Sequence, residues 1–101
     1  IVASTPGTIS YVSFSYVNED DEALSLDGVK PTPENVTTNA WVIWAYEHMY
    51  TNGEPTGLTK EFLDYMLSED VQGSLIEALG YIPSTDMKVD RDIEGNVTPI
   101  E

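Results

Sequence analysis

Along the first part of the chain, apolar residues alternate with small polar ones. Between Ile9 and Val17, Val12, Phe14 and Tyr16 are separated by Ser13 and Ser15, the two-residue period of a pleated surface, and this predicts a strand over residues 9–17. Thr5-Pro6-Gly7 supplies a turn into it, and Asn18-Glu19-Asp20-Asp21-Glu22 a charged loop after it. Leu24 and Leu26 then predict a short strand over 23–27, ended by Asp27-Gly28. Thr32 followed by Pro33 reads as an N-cap with proline at the first helical position, where its missing N–H is harmless, and predicts a helix over 33–39.

The segment from Trp41 to Tyr50 is dense in aromatic and branched residues and predicts a strand over 41–50 that is buried on both faces, ended by Asn52-Gly53-Glu54-Pro55. From Thr56 the period changes. Leu58, Phe62 and Met66, with Leu63 and Leu67 beside them, fall on one face at helical spacing and predict a helix over 57–67. A second helix is predicted over 69–79, with Ser68 as cap, Glu69 and Asp70 in its first turn, and Val71, Leu75, Ile76 and Leu79 as its apolar stripe. Gly80 supplies a left-handed stop, and Pro83 prevents the helix from resuming. The fold class is α/β. Residues 86–101 show no sustained apolar period and are expected as an acidic, loosely packed tail behind a domain spanning 1–85.

Composition narrows the function. A chain of 101 residues with 41% hydrophobic content can bury one core and no more. Its formal net charge of −14 repels phosphate backbones and anionic membranes, so nucleic acid is a poor partner. It is also awkward for binding a small anion, which would have to rely on local N–H dipoles. The absence of cysteine excludes disulfides, thiolate catalysis and Cys-based metal sites. No apolar run reaches membrane-span length and no signal-peptide pattern is present. The chain opens on Ile1-Val2 without an initiator Met and reads as cut from something longer.

Candidate chemistry is sparse. His48 is the only imidazole, and nothing at useful spacing completes a catalytic triad or a metal site around it, so it reads as structural. The carboxylates Asp20, Asp21 and Glu22 sit in a polar loop and read as a solvated face. Asp90 to Glu101 partly fits a calcium loop, with Asp90, Asp92 and Glu94 at positions one, three and five, Gly95 at six and Glu101 at twelve. It departs from that pattern with Glu at five and Pro99 at ten, and it ends where an exiting helix would begin; a solvated Glu-Gly-Asn turn is the simpler reading. Asn35-Val36-Thr37 and Asn96-Val97-Thr98 match the glycosylation pattern, as short triplets do by chance. Trp41, Trp44, Tyr46 and Tyr50 could stack a sugar or base, but at strand spacing they read as core or lobe interface. No cofactor and no catalytic residue is expected, and the chain is not read as an enzyme.

Three stretches together resemble the phosphate-binding component of bacterial phosphate ABC transporters, of the Gram-positive lipoprotein kind. They are Thr5-Pro6-Gly7-Thr8-Ile9-Ser10-Tyr11-Val12-Ser13, then Leu26-Asp27-Gly28-Val29-Lys30-Pro31-Thr32-Pro33-Glu34-Asn35-Val36, then Trp44-Ala45-Tyr46-Glu47-His48-Met49-Tyr50 through the helices to Leu79-Gly80-Tyr81-Ile82-Pro83. The resemblance implies the C-terminal portion of a type II periplasmic-binding-protein fold, in which two α/β lobes hold phosphate in a cleft. It further implies an extracellular solute-binding lipoprotein of a Gram-positive bacterium that hands phosphate to a membrane permease. In that family phosphate is held around a Ser-Gly-Thr loop with Arg and Asp partners, upstream of the matching region. This sequence has no Ser-Gly-Thr triplet, and its only arginine is Arg91, so no phosphate-binding residue is assigned within it. A lobe cut in this way would expose strand edges and invite self-association. The alternative reading is a calcium-dependent or purely structural cell-surface module; a hydrolase is third.

Overall fold

The computed structural model describes residues 1–101. Helices form where caps and periodicity favour them. Helix α1, Pro33–Thr37, begins at Thr32, whose side chain accepts a hydrogen bond from the Asn35 N–H at 3.3 Å, with Pro33 in the first turn. It ends at Thr37 with Thr38 as its C-cap, and Asn39 then takes a left-handed backbone at φ 60°. Helix α2, Gly57–Met66, carries the expected amphipathic pattern. A second helical run follows as a π-helical stretch, Val71–Leu75, that continues into helix α3, Ile76–Ala78. Ser68 starts this run through its carbonyl, which accepts from Val71 and Gln72, while its hydroxyl turns back to the Tyr65 carbonyl and caps nothing.

At the end of α3 the Gly80 N–H donates to the Glu77 carbonyl and the Tyr81 N–H to that of Ile76, the paired bonds of a Schellman stop. Gly80 is required there twice over. Its φ is +80°, and a Cβ would lie 2.8 Å from the Ser15 Cα, because the 3-10 turn Phe14–Tyr16 passes over this helix end.

The strands differ from expectation. Residues 9–17 hold the 3-10 turn Phe14–Tyr16, residues 23–27 contribute only the isolated bridge Leu26–Val29 around Asp27-Gly28, and residues 41–50 make no ladder. A strand needs a neighbour to satisfy its N–H and C=O groups, and none of these three segments lies against another within the chain. The period-two pattern nevertheless survives in 41–50. Trp44, Tyr46, His48 and Tyr50 meet ring to ring along one side, with centroids 5.4, 6.4 and 6.0 Å apart.

Residues 86–101, expected as a loosely packed tail, instead form an antiparallel hairpin of β1, Val89–Arg91, and β2, Val97–Pro99, in the register Val89 to Pro99, Asp90 to Thr98 and Arg91 to Val97. Its base is tied to α1, since the Lys88 N–H donates to the Thr37 carbonyl at 2.9 Å, and Met87 beside it is buried. These ties are made by backbone groups and single side chains and not by an apolar stripe, so they leave no period in the sequence.

Burial is scant. Only five of 101 residues are buried, among them Val36, Val71, Gln72 and Met87, and the radius of gyration is 16.4 Å, against about 13 Å for a compact chain of this length. The face of α2 expected to be core is open: Leu58 is 81%, Phe62 56% and Leu67 66% exposed. Leu75, expected in the buried stripe of the next helix, is also exposed, and Val71 alone is sealed. Polar groups supply the local order there. Gln72 donates from its amide nitrogen to the Met66 carbonyl, and its amide oxygen accepts from both the N–H and the hydroxyl of Ser84, stapling the end of α2 to the chain after Pro83.

Candidate functional site

The most connected side chain in the molecule is Arg91, in the last position of β1. From there its guanidinium reaches across to the segment after α1. Nη1 donates to the Trp44 carbonyl at 2.6 Å, and Nη2 to the Asn39 side-chain oxygen at 3.0 Å and the Val42 carbonyl at 3.1 Å. The guanidinium carbon also lies 4.1 Å from the centre of the Trp44 ring, a cation–π contact. The left-handed turn at Asn39 aims its side-chain oxygen at this point, where it also accepts from the Trp44 indole N–H at 2.8 Å. One residue along the aromatic row, the Tyr46 hydroxyl donates to the Val89 carbonyl at 3.0 Å. Burial, and then the nearby Asp90 carboxylate, raise the pKa of this phenol.

By sequence pattern alone Arg91 falls in a tail. The available signal was compositional, for one arginine among four basic residues has few partners to choose from, and an aromatic row is a good one. The chemical consequence is that Arg91 is occupied. Both terminal nitrogens donate to carbonyls or an amide oxygen and the face lies on an indole, while the remaining Nε–H has no partner but is buried, so no fork is presented to an oxyanion in solution.

The residues of the partial calcium loop are built into the hairpin turn. One Asp92 carboxylate oxygen accepts from the N–H groups of Glu94 and Asn96, at 2.9 and 2.8 Å, and the other from the Asn96 side-chain amide at 2.8 Å. These bonds, led by that of the Asn96 side chain, hold the carboxyl below the usual aspartate pKa. The Asp90 carboxylate accepts from the Arg91 N–H, Glu94 leans on the Asn96 amide, and Glu101 lies beyond β2. No group of three or more His, Asp or Glu side chains converges anywhere in the chain in a way that could hold a metal ion. His48 is an exposed rung of the aromatic row, between Tyr46 and Tyr50.

A shallow cavity of about 530 Å³ lies between the Phe14 turn, α1 and the chain after Gly80. Its charged lining consists of Glu34, Glu77 and Asp86 against Lys88, so its field opposes an anion.

No family model matches the chain. Individual proteins do. The chain is 59% identical over 96 residues to the "Phosphate-binding protein PstS" of Bacillus subtilis (strain 168), a match that covers 94% of this chain and 32% of that protein. It is 32% identical over 88 residues to "Phosphate-binding protein PstS 2" of Streptococcus agalactiae serotypes V and III, covering 86% of this chain and 30% of each relative. The chain thus spans about a third of the length of the relatives it matches. In sequence it is similar to about one third of these proteins named for phosphate binding, the kind of protein its motifs resemble.

Proposed function

We propose that this chain is the scaffold part of a solute-binding protein that captures inorganic phosphate outside the cell and passes it to the membrane permease of an ABC transporter. The observation that carries the reading is the 59% identity to a phosphate-binding protein over nearly the whole chain. The protein is a binder and not an enzyme, of the two-lobed type II periplasmic-binding-protein kind, and is held at the surface of a Gram-positive cell by a lipid anchor. The donors that hold phosphate belong to the two thirds of such a protein that this chain does not span. Two features support that division. Arg91 is committed to carbonyls and an indole, and the charged lining of the cavity between the Phe14 turn and α1 is three carboxylates against one ammonium. A dehydrated phosphate needs several charge-assisted N–H or O–H donors, which neither place provides.

The reading is tested with a hybrid in which this chain replaces the matching third of Bacillus subtilis PstS. Expressed in a Bacillus subtilis strain that lacks its own PstS, the hybrid should restore phosphate uptake from low-phosphate medium. A folded, exported hybrid that leaves uptake at the level of the deletion strain would refute it.

A further inference from the structure

Of the five asparagines in the chain, one stands apart. The Asn18 side-chain oxygen accepts from the Asp20 N–H at 3.0 Å, and the Asn35 amide donates to the Lys30 carbonyl at 2.9 Å. The Asn39 oxygen accepts from the Trp44 indole and from Arg91, and the Asn96 amide donates to the Asp92 carboxylate at 2.8 Å. The Asn52 side chain has no such partner; the side-chain bond in its turn runs from the Thr51 hydroxyl to the Gly53 carbonyl, at 2.8 Å. Asn52 is also the only asparagine followed by glycine. Both residues are exposed, in the turn between the aromatic segment and α2, where no backbone–backbone hydrogen bond involves residues 51–55. Gly53 takes a φ of +83°, and a Cβ built on it would meet nothing, so its nitrogen is uncrowded as well as unpaired.

We propose that Asn52 is a site of spontaneous covalent modification, at which the side-chain amide is converted to a carboxylate without an enzyme. Solvent base removes the Gly53 N–H proton, and the nitrogen forms a bond to the Asn52 side-chain carbonyl carbon, closing a cyclic imide. The bond from that carbon to the amide nitrogen breaks, and the nitrogen takes up the returned proton and leaves as ammonia. Water then adds to either carbonyl of the imide. One opening gives aspartate and the other isoaspartate, whose main chain runs through the former side-chain carbons. The balance is water consumed and ammonia released in equal amounts, with nothing oxidised or reduced. Closure requires a side-chain amide free to turn toward its own main chain, a following N–H outside any hydrogen bond, and no side chain crowding that nitrogen. Asn52 meets all three conditions, while the other four asparagines are held by their bonds and precede Glu19, Val36, Ala40 and Val97. The products place a new negative charge ahead of α2, whose first turn carries no acidic residue and whose Thr56 makes no side-chain cap bond. None of this depends on phosphate binding, so the two readings fail separately.

The test is incubation of the 101-residue chain at physiological temperature in neutral and mildly alkaline buffers, beside a synthetic peptide of residues 49–55. Samples are digested at acidic pH and mapped by mass spectrometry, with isoaspartate detected by enzymatic methylation. The amide-to-acid mass change should appear at Asn52 ahead of the other four asparagines, as two isomeric products, and faster in the alkaline buffer. Its rate should lie within about threefold of the peptide's, as a turn with an opening free energy near zero requires. Asn52→Gln should lose both the early mass change and the isoaspartate signal. Asn52 persisting as the amide while the peptide converts would show that the folded turn shields it and would overturn the proposal. Conversion that begins at Asn18, Asn35, Asn39 or Asn96 would overturn the choice of site, and conversion at Asn52 without isoaspartate would overturn the imide route.

Discussion

Replacing Arg91 by alanine removes the strongest tie between the C-terminal hairpin and the aromatic segment. The guanidinium makes three hydrogen bonds, at 2.6, 3.0 and 3.1 Å, and lies over the Trp44 ring at 4.1 Å. Bonds from a charged group contribute about 1.5–3 kcal/mol each in mutational series, and a cation–π contact at a partly exposed site about 0.5–1 kcal/mol. The bonds share one half-buried group, so they do not add. The loss from the whole side chain is expected at about 2–3 kcal/mol, toward the value of one strong bond plus the ring contact. Unlatching would be local, because the hairpin touches the remainder of the molecule through few side chains. Hydrogen exchange of the Lys88 and Ile100 amides, which donate to the Thr37 and Lys88 carbonyls, therefore reads it directly. At about 1.4 kcal/mol per factor of ten, exchange should accelerate roughly 30- to 150-fold, with the amides of α2 unchanged. Arg91→Lys keeps the charge and loses the fork, and should fall between the two. Hairpin protection in Arg91→Ala within about threefold of wild type, well below the 30-fold expected, would show that Arg91 is a bystander and the hairpin stands on its backbone bonds alone.

The remaining expectations concern the helical end and pH. Gln72→Ala leaves the Met66 carbonyl and the Ser84 N–H and hydroxyl without their partners, and should lower stability by about 1–3 kcal/mol in a denaturant titration, while Gln72→Glu should retain part of it. Gly80→Ala and Gly53→Ala both force alanine into positive φ, but only at position 80 would the new Cβ meet a backbone atom, the Ser15 Cα at 2.8 Å. Gly80→Ala should therefore cost the larger share of a range of about 1–3 kcal/mol, and equal melting temperatures for the two variants would refute the close approach. The Asp92 pKa is lowered by its bonds in the turn, so the turn's contribution is fully present above the ordinary aspartate value of about 3.9 and is lost as pH falls through the lowered one. An NMR titration of the Asn96 amides should show this midpoint, and Asp92→Asn should abolish it. The Tyr46 phenol shifts the other way: its bond to Val89 is present below the ordinary tyrosine value of about 10 and is lost as pH rises through the raised one, a step that Tyr46→Phe should remove from the pH dependence of Val89 chemical shifts.

What the sequence revealed and what it concealed divide along physical lines. Local signals were legible. Thr32-Pro33 started α1, the period of Leu58, Phe62 and Met66 located α2, and Gly80 ended the second helical run, because each depends on neighbours within a turn or two. The same alternation that predicted a strand over 41–50 appears in the ring contacts of Trp44, Tyr46, His48 and Tyr50, yet no ladder forms, since pairing needs a partner that periodicity cannot supply. The stripe of α2 is apolar in sequence yet largely open in the structure: an amphipathic face states what a helix would bury, not what lies against it. The hairpin of 89–99 was missed because Arg91, Tyr46 and Lys88 hold it one bond at a time over more than forty residues of sequence, which leaves no trace in composition.

As the proposed scaffold part of a phosphate-binding protein, this chain would lack the groups that clamp the ion. Titration calorimetry with inorganic phosphate, run on the 101-residue chain and on its hybrid with the other two thirds of Bacillus subtilis PstS, tests it most directly. No saturable heat in the micromolar range is expected from the chain alone, and a stoichiometric, saturable binding curve from the hybrid. Tight one-to-one binding by the chain alone, or a folded hybrid that takes up no phosphate, would contradict it.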